Sequence, residues 1–122
     1  MDEFLQQFLV ESRELVEQAS DDILMLEREP HDAQRFDDAF RAFHTLKGGA
    51  GIVDFGAMQT AVHAAESAFT VARAESRPLS SDDIGNCLAC LDQVVDWLDT
   101  IEATGTLPPD ADEAGIVARF PR

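Results

Sequence analysis

A histidine, a lysine and three glycines lie close together near the middle of the chain. Lys47 comes three residues after His44, and Gly48, Gly49 and Gly51 follow at once. Residues three apart are neighbours on a helix surface, so the imidazole and the ammonium group would share one face. A neutral imidazole is a nucleophile, and a cation beside it offsets the negative charge of a phosphoryl group. These residue types therefore suit a nitrogen that accepts a phosphoryl group from another protein.

The glycines follow a stretch that otherwise predicts an amphipathic helix. Apolar residues recur there at the three-and-four spacing of one helical face: Phe36, Ala39, Phe40, Phe43, Leu46 and Ala50. Each glycine inside a helix costs roughly 0.5–1 kcal/mol relative to alanine, so their presence needs a reason. On a helical wheel Gly48 and Gly51 lie on the same side as His44, which predicts a bare surface for partner docking. A helix C-cap, or close helix packing at Gly49, would also explain glycines here.

The chain resembles the histidine phosphotransfer (HPt) domain, and within that family the N-terminal P1 domain of CheA-type chemotaxis histidine kinases. The residues that carry the resemblance are the run HTLKGGAG at 44–51 and, after it, Phe55, His63 and Glu66. The resemblance covers residues from about 3 to 103, and the combination of histidine, lysine, glycines and a later His-x-x-Glu makes it specific.

The resemblance implies a role for each matching residue. His44 corresponds to the phosphorylated histidine, and Glu66 to the glutamate that accepts a hydrogen bond from the other ring nitrogen. Lys47 and His63 correspond to polar neighbours of the phosphorylation site, and we expect Lys47 to stabilise charge on the transferring group. Gly48 corresponds to the small residue that leaves room for a response regulator.

The same resemblance implies the partners. A histidine kinase catalytic domain would use ATP and Mg to phosphorylate His44, and the receiver domain of a response regulator would take the group onto an aspartate. No cofactor or metal is expected on this chain itself. The isolated domain is then a phosphoacceptor, and its probable parent protein is the enzyme, a histidine kinase. The N-terminal start and the proline-containing tail favour a module of such a kinase over a free-standing relay protein.

Hydrophobic periodicity and turn residues predict four helices, at about 2–28, 32–50, 54–76 and 81–103. Short connections between amphipathic helices favour an all-α, antiparallel, up-down four-helix bundle, which we place at residues 1–104. Residues 105–122 would form a C-terminal tail or a short fifth helix leading to a linker. That fifth helix would fall within 110–120, where Ile116, Val117 and Phe120 would cover one end of the bundle.

Helical wheels place the candidate residues on matching flanks of the second and third helices. With Val62 at the centre of the third helix, Glu66 lies about 40° away and His63 about 100° away. Lys47 and His44 have the same two offsets on the second helix. If the bundle has one handedness, these flanks of the second and third helices face each other. If it has the other handedness, they point apart. The wheel does not choose between the hands, and the resemblance favours the hand in which they meet.

Several local expectations concern single residues. Phe4 is placed on the buried face of the first helix, and Gly105 is placed at the end of the fourth as its C-cap. Asp54 stands where the family often has glycine, and we interpret it as the N-cap of the third helix. Cys87 and Cys90 form a C-x-x-C, but no βαβ pattern surrounds it, so packing is favoured over redox chemistry.

Composition narrows the class of partner and the location. The net charge of −15 argues against nucleic acid and anionic membranes, which bind basic surfaces. No apolar run reaches the roughly 18 residues of a membrane span, so we expect no membrane insertion. The acidic start of the chain is unlike a signal peptide, and we expect a cytoplasmic protein.

Two rival functions belong to other classes. Di-iron bundles use two Glu-x-x-His pairs, and this chain has none because His63 and Glu66 run in the opposite order. The stronger rival is a non-catalytic helical module for protein interaction, since any surface groove would support that function. Labelling with a kinase and ATP separates this rival from a phosphoryl carrier.

Overall fold

Five helices make up most of the computed structural model, which describes residues 1–121. They are α1 (Glu3–Arg28), α2 (Ala33–Ile52), α3 (Gly56–Ala74), α4 (Ser81–Thr104) and α5 (Ala114–Val117), and these described residues contain no strand. Helices α1 and α3 each pack against both α2 and α4, so the four long helices close into a ring around one core. The all-α four-helix bundle expected from the sequence is confirmed. Nowhere in residues 1–121 is a helix both long and apolar enough to cross a bilayer.

A cluster of phenyl rings fixes α2 against α3. The ring of Phe69 on α3 lies 5.2 Å from Phe36, 5.5 Å from Phe40 and 5.5 Å from Phe43 on α2, measured between centroids. Such ring pairs add to the stabilisation that burial alone provides. Because Phe43 directly precedes His44 and Phe69 lies three residues after Glu66, this packing also sets the relative height of the two candidate site residues.

The glycines do not end α2, which continues through all three of them to Ile52. The prediction that Asp54 caps α3 is wrong, because the N-cap position is Phe55 and no side chain bonds there. Asp54 instead has φ 62°, in the left-handed region, and the Phe55 amide donates to the Ala50 carbonyl at 2.8 Å. The tight turn between α2 and α3 thus needs a left-handed residue at position 54, and glycine adopts that conformation at the lowest cost.

Phe4 is a second local correction, since its side chain is 78% exposed whereas Leu5 beside it is buried. Phe4 lies along the groove between α1 and α2, where Gly48 and Gly49 form part of the opposite wall. Glycines have no side chain with which to cover the phenyl ring. Gly48 and Gly49 therefore leave this wall of the groove without side chains.

The ends of α4 agree with the sequence. The Ser80 side chain accepts from the Asp83 amide, the Asp83 side chain accepts from the Ser80 amide, and Gly105 ends the helix with φ 77°. This reciprocal pair satisfies two amides that the first turn of a helix leaves without a partner.

The fifth helix is shorter than expected, with four residues, and it packs on α3 and α4. Ile116 and Phe120 are buried as predicted, but Val117 is 37% exposed, so its predicted part in covering the bundle is wrong. One turn of helix has room for only one inward stripe, and Val117 lies beside that stripe.

The two cysteines are unpaired thiols inside the core. Burial raises the pKa of the Cys90 thiol to about 12 and raises the pKa of Cys87 well above its ordinary value. A thiol that does not ionise is a poor nucleophile, so the structure supports packing for the C-x-x-C.

Substitutions at Asp54 test the left-handed turn. Asp54→Val should lower the free energy of unfolding by about 1–2 kcal/mol, because a β-branched residue is strained at positive φ. Asp54→Gly should leave the stability equal or raise it, since glycine has no such strain. Urea unfolding monitored by circular dichroism measures both. Equal losses in the two variants would show that the turn does not constrain this residue.

Candidate functional site

His44 extends from α2 into solvent although its neighbour is fixed in the core. Phe43 is fully buried, whereas the side chain of His44 is 67% exposed. One nitrogen of the ring, Nδ1, lies 2.6 Å from Oε2 of Glu66 on α3. The imidazole is therefore accessible to a partner and is also held in one orientation.

Glu66 uses both carboxylate oxygens. Oε1 accepts a hydrogen bond from the Lys47 ammonium at 2.6 Å, while Oε2 faces the His44 ring. Burial by itself raises the pKa of this carboxyl, since its residue is only 6% exposed. The hydrogen bonds and positive charge of Lys47 and His44 outweigh burial, so the pKa of Glu66 lies below its ordinary value. Glu66 is therefore ionised at neutral pH.

The ionised carboxylate determines which ring nitrogen carries the proton. A carboxylate can only accept, so Nδ1 of His44 must be the donor in this pair. In the neutral ring the lone pair then lies on Nε2, and this nitrogen makes no hydrogen bond to any residue in the range 1–121. The nitrogen that faces solvent is thus the nucleophilic one.

The glycines predicted to form a bare surface differ from each other. A Cβ added at Gly48 would meet no atom within 4 Å, so the surface beside His44 is open there. A Cβ added at Gly51 would lie 2.6 Å from the side-chain amide of Gln59, so that side chain covers Gly51. The open surface is therefore narrower than the sequence suggests and centres on Gly48.

His63, the remaining predicted site residue, is exposed on α3. Its carbonyl accepts from the Ser67 hydroxyl, but its ring makes no hydrogen bond with any other described residue. The structure thus brings together His44, Glu66 and Lys47 by direct bonds, and His63 is not part of that set. Its role as a neighbour of the site stays a prediction.

Two features beside His44 were missed by sequence reasoning. An apolar groove between α1 and α2 reaches His44 and Gly48, and its apolar lining consists of Phe4, Phe8, Leu15, Ile52 and Val53. On the other side of His44, Arg41 and Arg73 line a shallow cleft. The spacing of Arg41, three residues before His44, was a signal that could have indicated it.

Within residues 1–121, no three or more His, Cys, Asp or Glu side chains are grouped to hold a metal ion.

The structure is thus a four-helix bundle that presents one histidine, hydrogen-bonded to a carboxylate, to solvent. The Hpt domain family model matches residues 3–103, and the chain belongs to the Hpt domain family.

The curated relatives are chemotaxis kinases of much greater length. The chain is 32% identical to the chemotaxis protein CheA of Halobacterium salinarum over 117 residues, which are 96% of this chain and 17% of that protein. It is 33% identical to the chemotaxis protein CheA of Salmonella typhimurium over 89% of this chain and 16% of that protein. The chain thus spans about one-sixth of the length of these relatives.

Solved structures of similar domains share the fold. The solution structure of the histidine phosphotransfer domain of CheA matches with a TM-score of 0.86 and 30% identity, over 98% of this chain and 90% of that chain. The phosphorylated P1 domain of CheA3 in complex with CheY6 from R. sphaeroides matches with a TM-score of 0.87 over 98% and 94% of the two chains. At 18% identity, this second match shows the fold alone.

Removal of the lysine tests the electrostatics of the site. Lys47→Met should raise the pKa of Glu66, because burial then opposes ionisation with only the His44 bond against it. A ¹³C NMR titration of the Glu66 carboxyl should give a midpoint below 4.5 in the wild type and a higher one in the variant. Arg28→Met, which removes an exposed charge at the end of α1, is the control and should leave the midpoint unchanged.

The same shift has a consequence for stability. A carboxyl whose pKa is lower in the folded state stabilises the fold above its unfolded pKa and loses that contribution as pH falls through the folded pKa. The stability advantage of the wild type over Lys47→Met should therefore be full at pH 7 and shrink as pH falls from the Glu66 midpoint of the variant to the lower midpoint of the wild type. A difference that stays constant across this range would contradict the ionised pair.

Proposed function

We propose that this domain is a phosphoryl carrier of a chemotaxis-type phosphorelay. His44 accepts a phosphoryl group from an ATP-dependent histidine kinase domain and passes it to an aspartate of a response regulator. The observation that supports this most directly is an exposed Nε2 on a ring whose Nδ1 bonds to an ionised carboxylate. ATP and Mg at the kinase domain, and a cytoplasmic location, are parts of the same proposal and are supported by the family.

The first transfer uses the lone pair of Nε2. A bond forms between Nε2 and the γ-phosphorus, the bond from that phosphorus to the bridging oxygen breaks, and ADP leaves with the electron pair. The ring becomes positively charged, and its Nδ1–H stays bonded to Glu66, which stabilises that charge. Orientation and electrostatic stabilisation are the main contributions that a protein makes to such a transfer.

Lys47 contributes by keeping Glu66 ionised. Its ammonium donates to Oε1 of Glu66, so the carboxylate remains an acceptor for the imidazole N–H. The side chain is one-quarter exposed, which leaves part of its charge facing the surface that carries His44. We assign to Lys47 both this support and charge stabilisation of the transferring group.

The second transfer runs from Nε2 to the carboxylate of the receiver domain. A carboxylate oxygen attacks the phosphorus, the N–P bond breaks, and its electron pair returns to Nε2. The match to the Hpt domain family supports a response regulator as the partner here. The open surface at Gly48 and the apolar groove beside it offer a docking area next to the reacting nitrogen.

The alternative function, a purely interacting helical module, gives no reason for the bonded array. A buried carboxylate costs free energy unless charged or polar partners surround it, and a docking surface does not require one. The shared bonds of Glu66 orient a single exposed imidazole, which a carrier needs.

We also propose that residues 1–104 form the phosphotransfer bundle, and that residues 105–122, which include the short helix α5, lead to a linker. The length of the CheA relatives supports a place for this chain within a longer histidine kinase.

Replacement of the histidine tests the carrier function. His44→Gln should abolish labelling by a CheA-type kinase with [γ-³²P]ATP, and the fold should survive because the side chain is mostly exposed. His31→Gln removes an exposed histidine in the turn before α2 and should keep full labelling. The label should be acid-labile and base-stable, as expected for phosphohistidine. Labelling that persists in His44→Gln would exclude His44 as the acceptor.

A leucine at Gly48 tests the open surface. Gly48→Leu should slow transfer from phosphorylated domain to the response regulator by about 100-fold, because displacement of a reacting group by about 1 Å has this effect. Gly85→Leu is the matched control, since a Cβ at either glycine meets no atom within 4 Å and Gly85 lies on α4, which does not contact α2. Rapid-quench measurement of loss of label gives the rate. Equal rates for the two variants would show that Gly48 is not at the interface.

A further inference from the structure

Two arginines lie beside His44, toward the N-terminal end of α2. Arg41 is three residues before His44, one turn back on the same helix face. Arg73 reaches the same place from α3, and both line one shallow cleft with His44, Asp37 and Phe40. The cleft therefore places two cations beside the imidazole. Neither takes part in the transfer steps proposed for His44.

Arg73 is held in place by three contacts. It forms an ion pair with Asp37, and its guanidinium carbon lies 5.2 Å from the ring centre of Phe36 and 5.1 Å from that of Phe40. A guanidinium over aromatic rings is stabilised by the cation–π interaction. Its charge is thus fixed in the cleft, and it neutralises the nearby carboxylate of Asp37.

Arg41 has its hydrogen-bond donors largely available. Its side chain is 72% exposed, and the carboxylate of Asp38 approaches it only to 3.7 Å, which is beyond hydrogen-bond distance. Lys47, the other cation near His44, already donates to Glu66 and is 25% exposed. Of these cations, Arg41 is the one best able to bind a group attached to the exposed ring nitrogen.

The net negative charge of the protein opposes a phosphoryl dianion on His44, and a nearby cation offsets this repulsion. A net charge of −15 repels an added dianion, and Glu11 on α1 lines the groove that reaches His44. The charge of Glu66 is already met by its two partners, and that of Asp37 by Arg73. Arg41 pairs with Asp38 only at 3.7 Å and without a hydrogen bond, so its donors face solvent in the cleft that it shares with His44.

We propose that Arg41, with Arg73 behind it, forms an anion site for the phosphoryl group on Nε2 of His44. The inference rests on the proposed function for the identity of the phosphorylated residue. The planar fork of a guanidinium matches two phosphoryl oxygens, a geometry that an ammonium does not provide. Arg41 acts as a positioning residue that holds the dianion on the side of the ring away from Glu11.

Phosphoramidate tests the site without any kinase or nucleotide. The lone pair of Nε2 forms a bond to phosphorus, the P–N bond of phosphoramidate breaks, and neutral ammonia leaves. The rate of formation and the ³¹P titration of the product are then measured for wild type, Arg41→Gln, Arg41→Lys and Arg28→Gln. Arg28→Gln is the matched control, because it also removes one exposed arginine but at the far end of α1.

Arg41→Gln should raise the second pKa of the phosphoryl group at low salt, because it removes a positive charge that favours the dianion. It should also slow phosphorylation about 3- to 10-fold, less than the loss of a buried oxyanion donor because Arg41 is exposed. Arg41→Lys should bring the ³¹P titration midpoint close to the wild-type value. It should recover a smaller share of the phosphorylation rate. Both effects should weaken at high salt.

Identical ³¹P midpoints and rates for Arg41→Gln and Arg28→Gln would overturn the anion site. Because phosphohistidine forms chemically in this experiment, that result would leave the carrier function intact. Failure of the carrier function would instead appear as absence of kinase labelling at His44. Unchanged thermal unfolding of Arg41→Gln would show that the effects are not caused by loss of the fold.

Discussion

The carboxylate of Glu66, shared between an imidazole and an ammonium group, is the interaction on which the site depends. A buried carboxylate is costly unless both oxygens have partners, and here Lys47 and His44 each supply one at 2.6 Å. This pairing keeps Glu66 ionised and so makes it a pure acceptor. An acceptor at Nδ1 fixes the tautomer of His44 and leaves the reactive lone pair on the nitrogen that faces solvent.

The geometry of that pairing is set by hydrophobic packing next to it. Phe69 contacts three phenylalanines of α2, and one of these, Phe43, directly precedes His44. Because rings of this size fit together in few ways, α2 and α3 cannot slide past each other without loss of buried contacts. The core therefore determines the distance between two polar side chains at the surface, and the exposed imidazole is oriented without being buried.

The surroundings of His44 are asymmetric, and this suits the phosphoryl carrier that we propose. On one side, glycine replaces a side chain and an apolar groove lies open between α1 and α2. On the other side, the guanidinium groups of Arg41 and Arg73 line a shallow cleft that also contains Asp37. A docking protein can pack against the apolar side while the charged group transferred stays on the cationic side. One small helical bundle thus separates recognition from charge stabilisation around a single atom.

The sequence by itself determined the four long helices, the end of α4 at Gly105 and the faces on which His44, Lys47 and Glu66 lie. These features are local, since helical periodicity and capping residues act within a few positions along the chain. The family resemblance, rather than the wheel, indicated the side on which the flanks of α2 and α3 meet. Periodicity carries no information on the hand of a bundle.

Only the tertiary structure decided that Asp54 is a left-handed turn residue, that Phe4 is exposed and that Gln59 covers Gly51. Each of these depends on what a second helix places opposite the residue. Closure of the α2–α3 turn sets the φ of Asp54, and the packing of α1 on α2 leaves Phe4 in the lining of an open groove. The cleft shared by Arg41 and Arg73 also depends on a second helix. The two residues are 32 positions apart in the chain, and the packing of α2 on α3 brings them together.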